Sequence, residues 1–378
     1  MKKPLSLYIH IPFCVRKCLY CDFPSYSGCE GIYSEYVNVL CRELKDWSGR
    51  FNEYKVNTVF IGGGTPTVLK PSDLGRVMDT VLNRFDVDAH AEITCEANPG
   101  TLDLKKLTEM RSMEINRLSM GVQAWQNDIL KRLGRIHDRD TFVNDMSLAR
   151  EAGFGNINCD IMFSLPGQSM DNWQETLERI TDLKPEHISA YSLIIEEGTP
   201  FKEMYDKGTF KPAEDETDRK MYYLSKEILK DRGYLQYEIS NFAREGFESR
   251  HNSVYWKTME YAGFGLGSHS YIDKRRFHNT YDMKKYMEYK GNGSITEEME
   301  CLSENDIISE FMFMGLRMTR GVSETDFEDR FKKTVESVYH KEIKMLINEG
   351  LIKWENGRIF LTDYGMDISN YVFEKFLL

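Results

Sequence analysis

Apolar residues along the chain gather into short runs separated by stretches of mixed character. The runs LSLYIHI (5–11), VNTVFIGG (56–63), AEITCEAN (91–98), INRLSMGVQ (115–123), NINCDIMF (156–163) and HISAYSLII (187–195) are nearly continuous rather than alternating. That is the pattern of strands covered on both faces. The stretches between them repeat with helical period. Ile32, Tyr36, Val39, Leu40, Leu44 and Trp47 share one face, and Leu74, Val77, Met78, Val81, Leu82 and Phe85 share a second. Trp173, Leu177, Ile180 and Leu183 form a third stripe. Six strand–helix units predict an α/β fold with a parallel sheet and right-handed crossovers, a full or partial barrel over residues 1–235. In such a barrel, chemistry gathers at the carboxyl ends of the strands.

Residues 236–300 are rich in Gly, Tyr, His and Asn and show little period, so they read as a connecting segment. Residues 301–378 differ again. Stretches 304–318 and 336–349 read as helices, and GLIKWENGRIFLTDYG reads as a hairpin turning at Glu355, Asn356 and Gly357. Helices around a hairpin predict a C-terminal helical, winged-helix-like domain. Its second helix mixes Glu336, Glu342 and Glu349 with Lys332, Lys333, Lys341 and Lys344, a solvated face rather than a basic stripe.

Charge narrows the function classes. The 49 Lys and Arg against 60 Asp and Glu leave a net charge of −11 over 378 residues. Broad nucleic-acid binding needs the opposite balance, so no nucleic-acid partner is expected. No run approaches the ~18 apolar residues of a membrane helix. The opening MKKPLSLYIHIPFC imitates a signal peptide, but Pro4, His10 and Pro12 interrupt it and no small-residue cleavage site follows. The expected location is the cytoplasm. Eight cysteines are too few for a disulfide scaffold.

Three of those cysteines stand together. Cys14, Cys18 and Cys21, spaced C-x3-C-x2-C in HIPFCVRKCLYCDF, directly follow the first predicted strand. Three thiolates can hold three irons of a 4Fe–4S cluster and leave the fourth open. A structural zinc would need a fourth ligand, which His10 or Asp22 could supply. The remaining cysteines, Cys29, Cys41, Cys95, Cys159 and Cys301, are scattered and read as small buried hydrophobes. The second strand ends in GGGTP, where Gly62, Gly63 and Gly64 let backbone come close to a ligand. Glu96, Gln123 and Asp160 interrupt or end apolar runs, and Arg135 follows in GRIHDRD. Buried carboxylates are costly without partners, so polar residues converging on one barrel mouth suggest a ligand.

The cysteine triplet at the end of a first barrel strand resembles the signature of the radical S-adenosylmethionine (SAM) superfamily, and GGGTP matches a variant of its glycine loop, with Thr65 in place of the usual acid. The resemblance implies a partial (β/α)6 barrel whose open iron is chelated by the amino and carboxylate groups of SAM. The cluster's electron then cleaves SAM to methionine and a 5′-deoxyadenosyl radical. The segments RLSMGVQ and LPGQ, with the helical tail, extend the likeness to the coproporphyrinogen-oxidase branch. On that likeness Tyr8, Tyr20, Gly63, Gly64, Thr65, Glu96, Gln123, Arg135 and Asp160 fall on SAM-contacting positions. Glu96 would address the ribose and Arg135 the carboxylate.

Within the branch two readings compete: an oxygen-independent coproporphyrinogen III oxidase and a haem chaperone that is not an oxidase. The oxidase carries an additional cysteine two positions after the third cluster cysteine, where this chain has Phe23, and a longer segment before its first strand. Residues 251–256 read HNSVYW, which matches a motif associated with the chaperones. His251 is then the expected axial ligand of haem iron. Asn252 would orient its imidazole, and Tyr255 and Trp256 would offer rings to the porphyrin. His269, in GFGLGSHSY, is the second ligand candidate. His10 reads as structural or close to the cluster, and His278 and His340 as surface residues. The implied cofactors are a 4Fe–4S cluster, SAM and haem. The implied partners are haem, a haem-accepting protein, an electron donor and, peripherally, membrane acceptors. A zinc-stabilised binding protein is the reading without either chemistry.

Overall fold

The computed structural model describes residues 2–291 and 294–378. The six apolar runs are strands: β1 (Lys3–Ile11), β2 (Tyr54–Gly63), β3 (Val87–Ala97), β4 (Arg117–Gln123), β5 (Ile157–Phe163) and β6 (His187–Ser192). They lie side by side in chain order, and each pairs in parallel with the next. Helices α1 (Tyr33–Ser48), α2 (Pro71–Arg84), α3 (Leu104–Ser112), α4 (Asn127–Arg132), α5 (Arg139–Glu151) and α6 (Met170–Asp182) supply the crossovers. Parallel strands require such long connections. This is the α/β arrangement of a partial barrel.

The amphipathic stripes explain the packing. α1 buries Tyr36, Val39, Leu40 and Leu44, and α2 buries Leu74, Val77, Met78 and Val81. Leu82, expected on the same stripe, is exposed. It sits one residue, or about 100°, past Val81. α6 starts at a capping box between Ser169 and Asn172. Its Trp173 is fully buried and donates from Nε1 to the Met221 carbonyl, 2.9 Å, on α8 (Asp215–Asp231); α7 (Pro200–Asp206) lies between α6 and α8 in the chain.

The weakly periodic stretch after residue 235 is not only a connection. It widens the same sheet at both edges, to twelve strands. β7 (Leu235–Glu238) and β8 (Asn241–Ala243) lie outside β6. β9 (Tyr261–Phe264) runs parallel to β1, and β10 (His269–Ile272), β11 (Arg275–Asn279) and β12 (Thr296–Cys301) follow it antiparallel. Between β8 and β9 the chain forms the short helix α9 (Arg250–Trp256), and α10 (Met283–Met287) follows β11.

The tail has its own apolar core, which includes Ile308, Met312, Phe327, Tyr339, Leu346, Ile359 and Phe376. It comprises α11 (Glu304–Gly315), β13 (Val322–Ser323), α12 (Glu324–Phe331), α13 (Val335–Asn348), β14 (Ile352–Glu355), β15 (Arg358–Leu361), α14 (Asp363–Asp367) and α15 (Ser369–Glu374). The predicted hairpin is β14–β15. Asn356 and Gly357 both take positive φ, 52° and 70°, as a tight two-residue turn demands. Asp363 and Asp367 pair with Lys226 and Arg219 on α8. Among the described residues no helix is long and apolar enough to cross a membrane.

Candidate functional site at the barrel mouth

The loop after β1 carries the three cysteines and is fastened to the barrel from several sides. The Cys14 amide donates to Tyr26 O at 2.9 Å, and Tyr26 donates back to Pro12 O at 2.7 Å. The Leu19 amide reaches Leu133 O at 3.1 Å, and the Thr65 amide reaches Phe13 O at 2.7 Å. His10, at the end of β1, donates from Nε2 to Pro24 O at 2.8 Å, which leaves Nδ1 to accept from the Tyr8 hydroxyl at 3.0 Å. Burial holds the His10 imidazole down to about 4, so it stays neutral and tethers the loop.

The sulfurs sit in a polar setting. Arg135 Nη1 lies 3.3 Å from Cys18 Sγ, and the Thr65 hydroxyl donates to Cys14 Sγ at 3.6 Å. Burial raises the Cys14 thiol and pushes Cys21 up to about 11. Charge on Cys18 opposes ionisation of both, and charge on Cys14 opposes that of Cys21. Thiols that hinder one another's ionisation become thiolates when metal charge is placed among them. The donor set therefore fits an iron–sulfur cluster held by Cys14, Cys18 and Cys21. Such a cluster would supply one-electron chemistry to a SAM bound at its open iron.

The three glycines after β2 serve a tighter purpose than ligand access. A Cβ on Gly62 would stand 2.8 Å from Glu96 Oε2, one on Gly63 2.3 Å from the His10 ring, and one on Gly64 2.6 Å from Phe13 O. Gly63 also takes φ +110°. The loop is bare at these positions because neighbouring protein atoms pack against it. The Thr65 hydroxyl, expected as an acceptor for SAM, is instead shared between Cys14 and Asn98, whose Nδ2 donates to it at 2.8 Å. Its side chain is 1% exposed.

The nine residues expected around SAM divide into two groups. Tyr8, Gly63, Glu96 and Asp160 line a cavity of about 210 Å³ at the mouth. Glu96 accepts from the Gly63 amide at 2.9 Å. Burial and the nearby Asp160 charge push its carboxyl up to about 7. Asp160 accepts from Ser119 Oγ at 3.0 Å and Asn158 Nδ2 at 2.8 Å. Of the others, Thr65 and Arg135 bond Cys14 and Cys18, Tyr20 belongs to the cluster loop, Gly64 packs on Phe13, and Gln123 ends β4 near Arg135. Arg135 donates to Asn98 Oδ1 at 2.5 Å, to Gly121 O and to Cys18. Burial raises the Tyr20 phenol, which Arg135 partly offsets. Gln123 holds φ +68° at the end of β4, the kind of strained conformation that persists where the surroundings impose it.

The HNSVYW segment is α9, and it faces the other end of the barrel interior. Expected as a free axial ligand, His251 is 1% exposed with both ring nitrogens taken. Nδ1 meets Thr58 Oγ1 at 2.8 Å and Nε2 meets the Tyr255 hydroxyl at 2.9 Å. Phe60 stacks on the ring at 5.1 Å, and burial lowers the imidazole to about 3. Thr58 and Tyr255, not Asn252, orient it. Glu92 receives the first amides of α9, Arg250 at 3.1 Å and His251 at 2.9 Å. His251, Asn252 and Tyr255 line the same cavity as Tyr8 and Glu96. Residues far apart in the chain thus share one interior. Trp256 points away, under the Arg317 guanidinium, with its Nε1 unbonded. His269 is exposed and bonds Tyr281 through Nε2 at 2.7 Å. His278, expected at the surface, is 8% exposed and bonds Asn279 O through Nδ1 at 2.8 Å.

Sequence reasoning passed over Thr58, Glu92, Asn98, Arg117 and Asn158. Arg117 carried a usable signal, since it is a full charge within the apolar run 115–123, as Glu96 and Asp160 are in theirs.

Residues 8–180 match the Radical SAM superfamily model and residues 302–368 the HemN C-terminal domain model. The chain is 37% identical to a protein of Lactococcus lactis named heme chaperone HemW, over 100% of this chain and 98% of that one. It is 36% identical to the protein of that name from Bacillus subtilis, over 98% of this chain and 99% of the relative. The Escherichia coli counterpart is 33% identical, over 99% and 98%. In solved structures, coproporphyrinogen III oxidase (HemN) from Escherichia coli superposes with a TM-score of 0.87 at 23% identity, covering 100% of this chain and 90% of that one. This last likeness shows a shared fold. The superfamily implies a 4Fe–4S cluster and SAM; the thiol loop supplies donors for the cluster, and four of the residues expected around SAM border the mouth cavity. By identity over its whole length, the chain belongs to the HemW family of the radical SAM superfamily.

Proposed function

We propose that the chain is a haem chaperone that carries a SAM-ligated 4Fe–4S cluster, binds haem and passes it to an acceptor protein in the cytoplasm. The observation that carries the reading is end-to-end likeness to proteins named for that role, at 33–37% identity. Phe23 supports it over the oxidase. It stands where that enzyme has its additional cysteine, lines the mouth cavity and is 59% exposed. Cys14, Cys18 and Cys21 are the proposed cluster ligands. Tyr8, Gly63, Glu96 and Asp160 are proposed to touch SAM, while Thr65 and Arg135 hold the loop beside it. An electron donor is required for the cluster.

Haem does not fit the inner side of α9 as folded. Both His251 nitrogens are engaged, and about 210 Å³ falls below the roughly 300–1,000 Å³ of pockets for larger ligands. The wider space at α9 is on its other side, a cavity of about 580 Å³ whose wall includes Val254, Lys257, Met318 and Arg320. Haem ligation by His251 therefore requires Thr58 or Tyr255 to release a ring nitrogen.

The test uses anaerobic, cluster-reconstituted protein, with coproporphyrinogen III, SAM and reductant in one tube and haem in another. Stable haem binding with a Soret band and no oxidation of coproporphyrinogen is expected. Protoporphyrinogen formed in proportion to SAM consumed would overturn the reading in favour of the oxidase. His251→Ala addresses the ligand alone. An unchanged Soret band in that variant moves the iron ligand elsewhere, with His269 next.

A further inference from the structure

Arg117 opens β4, is 2% exposed and borders the mouth cavity at its inner end. Its Nε has no hydrogen-bond partner. Several acceptors around the cavity are already engaged. Asn158 Oδ1 receives Ser189 Oγ at 3.1 Å and meets His187 Nδ1 at 2.6 Å. Asp160 is held by Ser119 and Asn158, and Glu96 by the Gly63 amide. Thr94, opposite Arg117 in the strand register, also leaves a buried hydroxyl unbonded. Glu96 and Asp160 border the same cavity and the Arg117 charge favours the Glu96 carboxylate, yet the Arg117 Nε stays unbonded, and a buried guanidinium with an unmet donor is unfavourable.

We propose that Arg117 is the anchor of a carboxylate-binding site at the inner end of the mouth cavity. A guanidinium matches the two oxygens of a carboxylate through paired N–H donors. The charge balance favours a monoanion, because Glu96 and Asp160 border the same space and would repel a phosphate dianion. About 210 Å³ admits a small acid or the acid arm of a larger ligand, not a macrocycle. The proposal stands apart from the chaperone reading, since Arg117 lacks its partner whichever ligand the protein carries.

Thermal unfolding of the full-length anaerobic protein at constant ionic strength tests it, with sodium propionate, its uncharged isostere propionamide, and inorganic phosphate as probes. Propionate should raise the melting temperature, while propionamide and phosphate should not. Arg117→Met should bind propionate about tenfold more weakly or worse. Arg117→Gln, which keeps polarity and loses charge, should behave the same way towards propionate. Equal responses to propionate and propionamide in wild type, or a full propionate response in both variants, would overturn the site. Haem and its dimethyl ester then identify the source. Weaker haem but unchanged ester binding in Arg117→Met marks a porphyrin arm, and unchanged haem binding with a lost propionate response marks a separate small acid. Failure of wild type to bind haem would end the chaperone reading and leave the propionate result intact.

Discussion

The two ends of the barrel interior are built on different terms. At the mouth, charged and ionisable groups are held away from their preferred states. Glu96 is pushed up to about 7 and Cys21 to about 11. At the floor, the polar groups of α9 are satisfied in pairs: His251 between Thr58 and Tyr255, and the first amides of α9 on Glu92. Unmet polar groups cost stability and await a ligand, whereas met ones hold the fold together. Removing a polar group should therefore have opposite consequences at the two ends.

The largest effect is expected at the cluster loop. Cys18→Ser should lose the brown visible absorption and most bound iron while urea unfolding of the apo-protein stays close to wild type. A full cluster in that variant would break the assignment of the mouth. The next effect is at the floor. Glu92→Ala strips both acceptors from the α9 amides and should cost about 2–4 kcal/mol in urea unfolding. A loss under half a kilocalorie would mean that α9 is held by packing alone.

The smallest effect sharpens the contrast by its sign. The folded-state carboxyl of Glu96 lies at about 7 against an ordinary value near 4.5. The folded protein then holds a proton that the unfolded chain has released, so this contribution is present below pH 4.5 and fades as pH rises to 7. Glu96→Gln should flatten part of that decline and be more stable than wild type at pH 8, by up to about 3 kcal/mol. Glu43, buried and also pushed up to about 7, keeps some slope in the variant. SAM should meanwhile perturb the reduced cluster's EPR signal less than in wild type. A less stable Glu96→Gln at pH 8 would show that the mouth carboxylate is a structural partner like Glu92.

Much of this arrangement was legible before folding, for local reasons. Parallel strands buried on both faces must be nearly continuous in apolar residues, so β1–β6 announced themselves. C-x3-C-x2-C places three thiols on one loop whatever the rest of the chain does. Asn356 and Gly357 marked a turn because few residues accept two positive φ values in succession. The strands β7–β12 hid because they are three to six residues long and pair only through contacts distant in the chain. Local pattern carries little information about such pairing.

The chain by itself thus determined the parallel sheet, the cysteine loop and the family, since each is written in adjacent residues. Only the tertiary structure decided what the polar residues do. Thr58 and His251 meet across 193 positions, and Glu92 reaches the α9 amides across more than 150. That meeting places HNSVYW at the floor of the barrel with both His251 ring nitrogens bonded. Folding likewise left Arg117 beside carboxylates already committed to other donors. Whether a buried polar group is satisfied depends on which distant groups reach it first, and that is a property of three-dimensional packing rather than of sequence spacing.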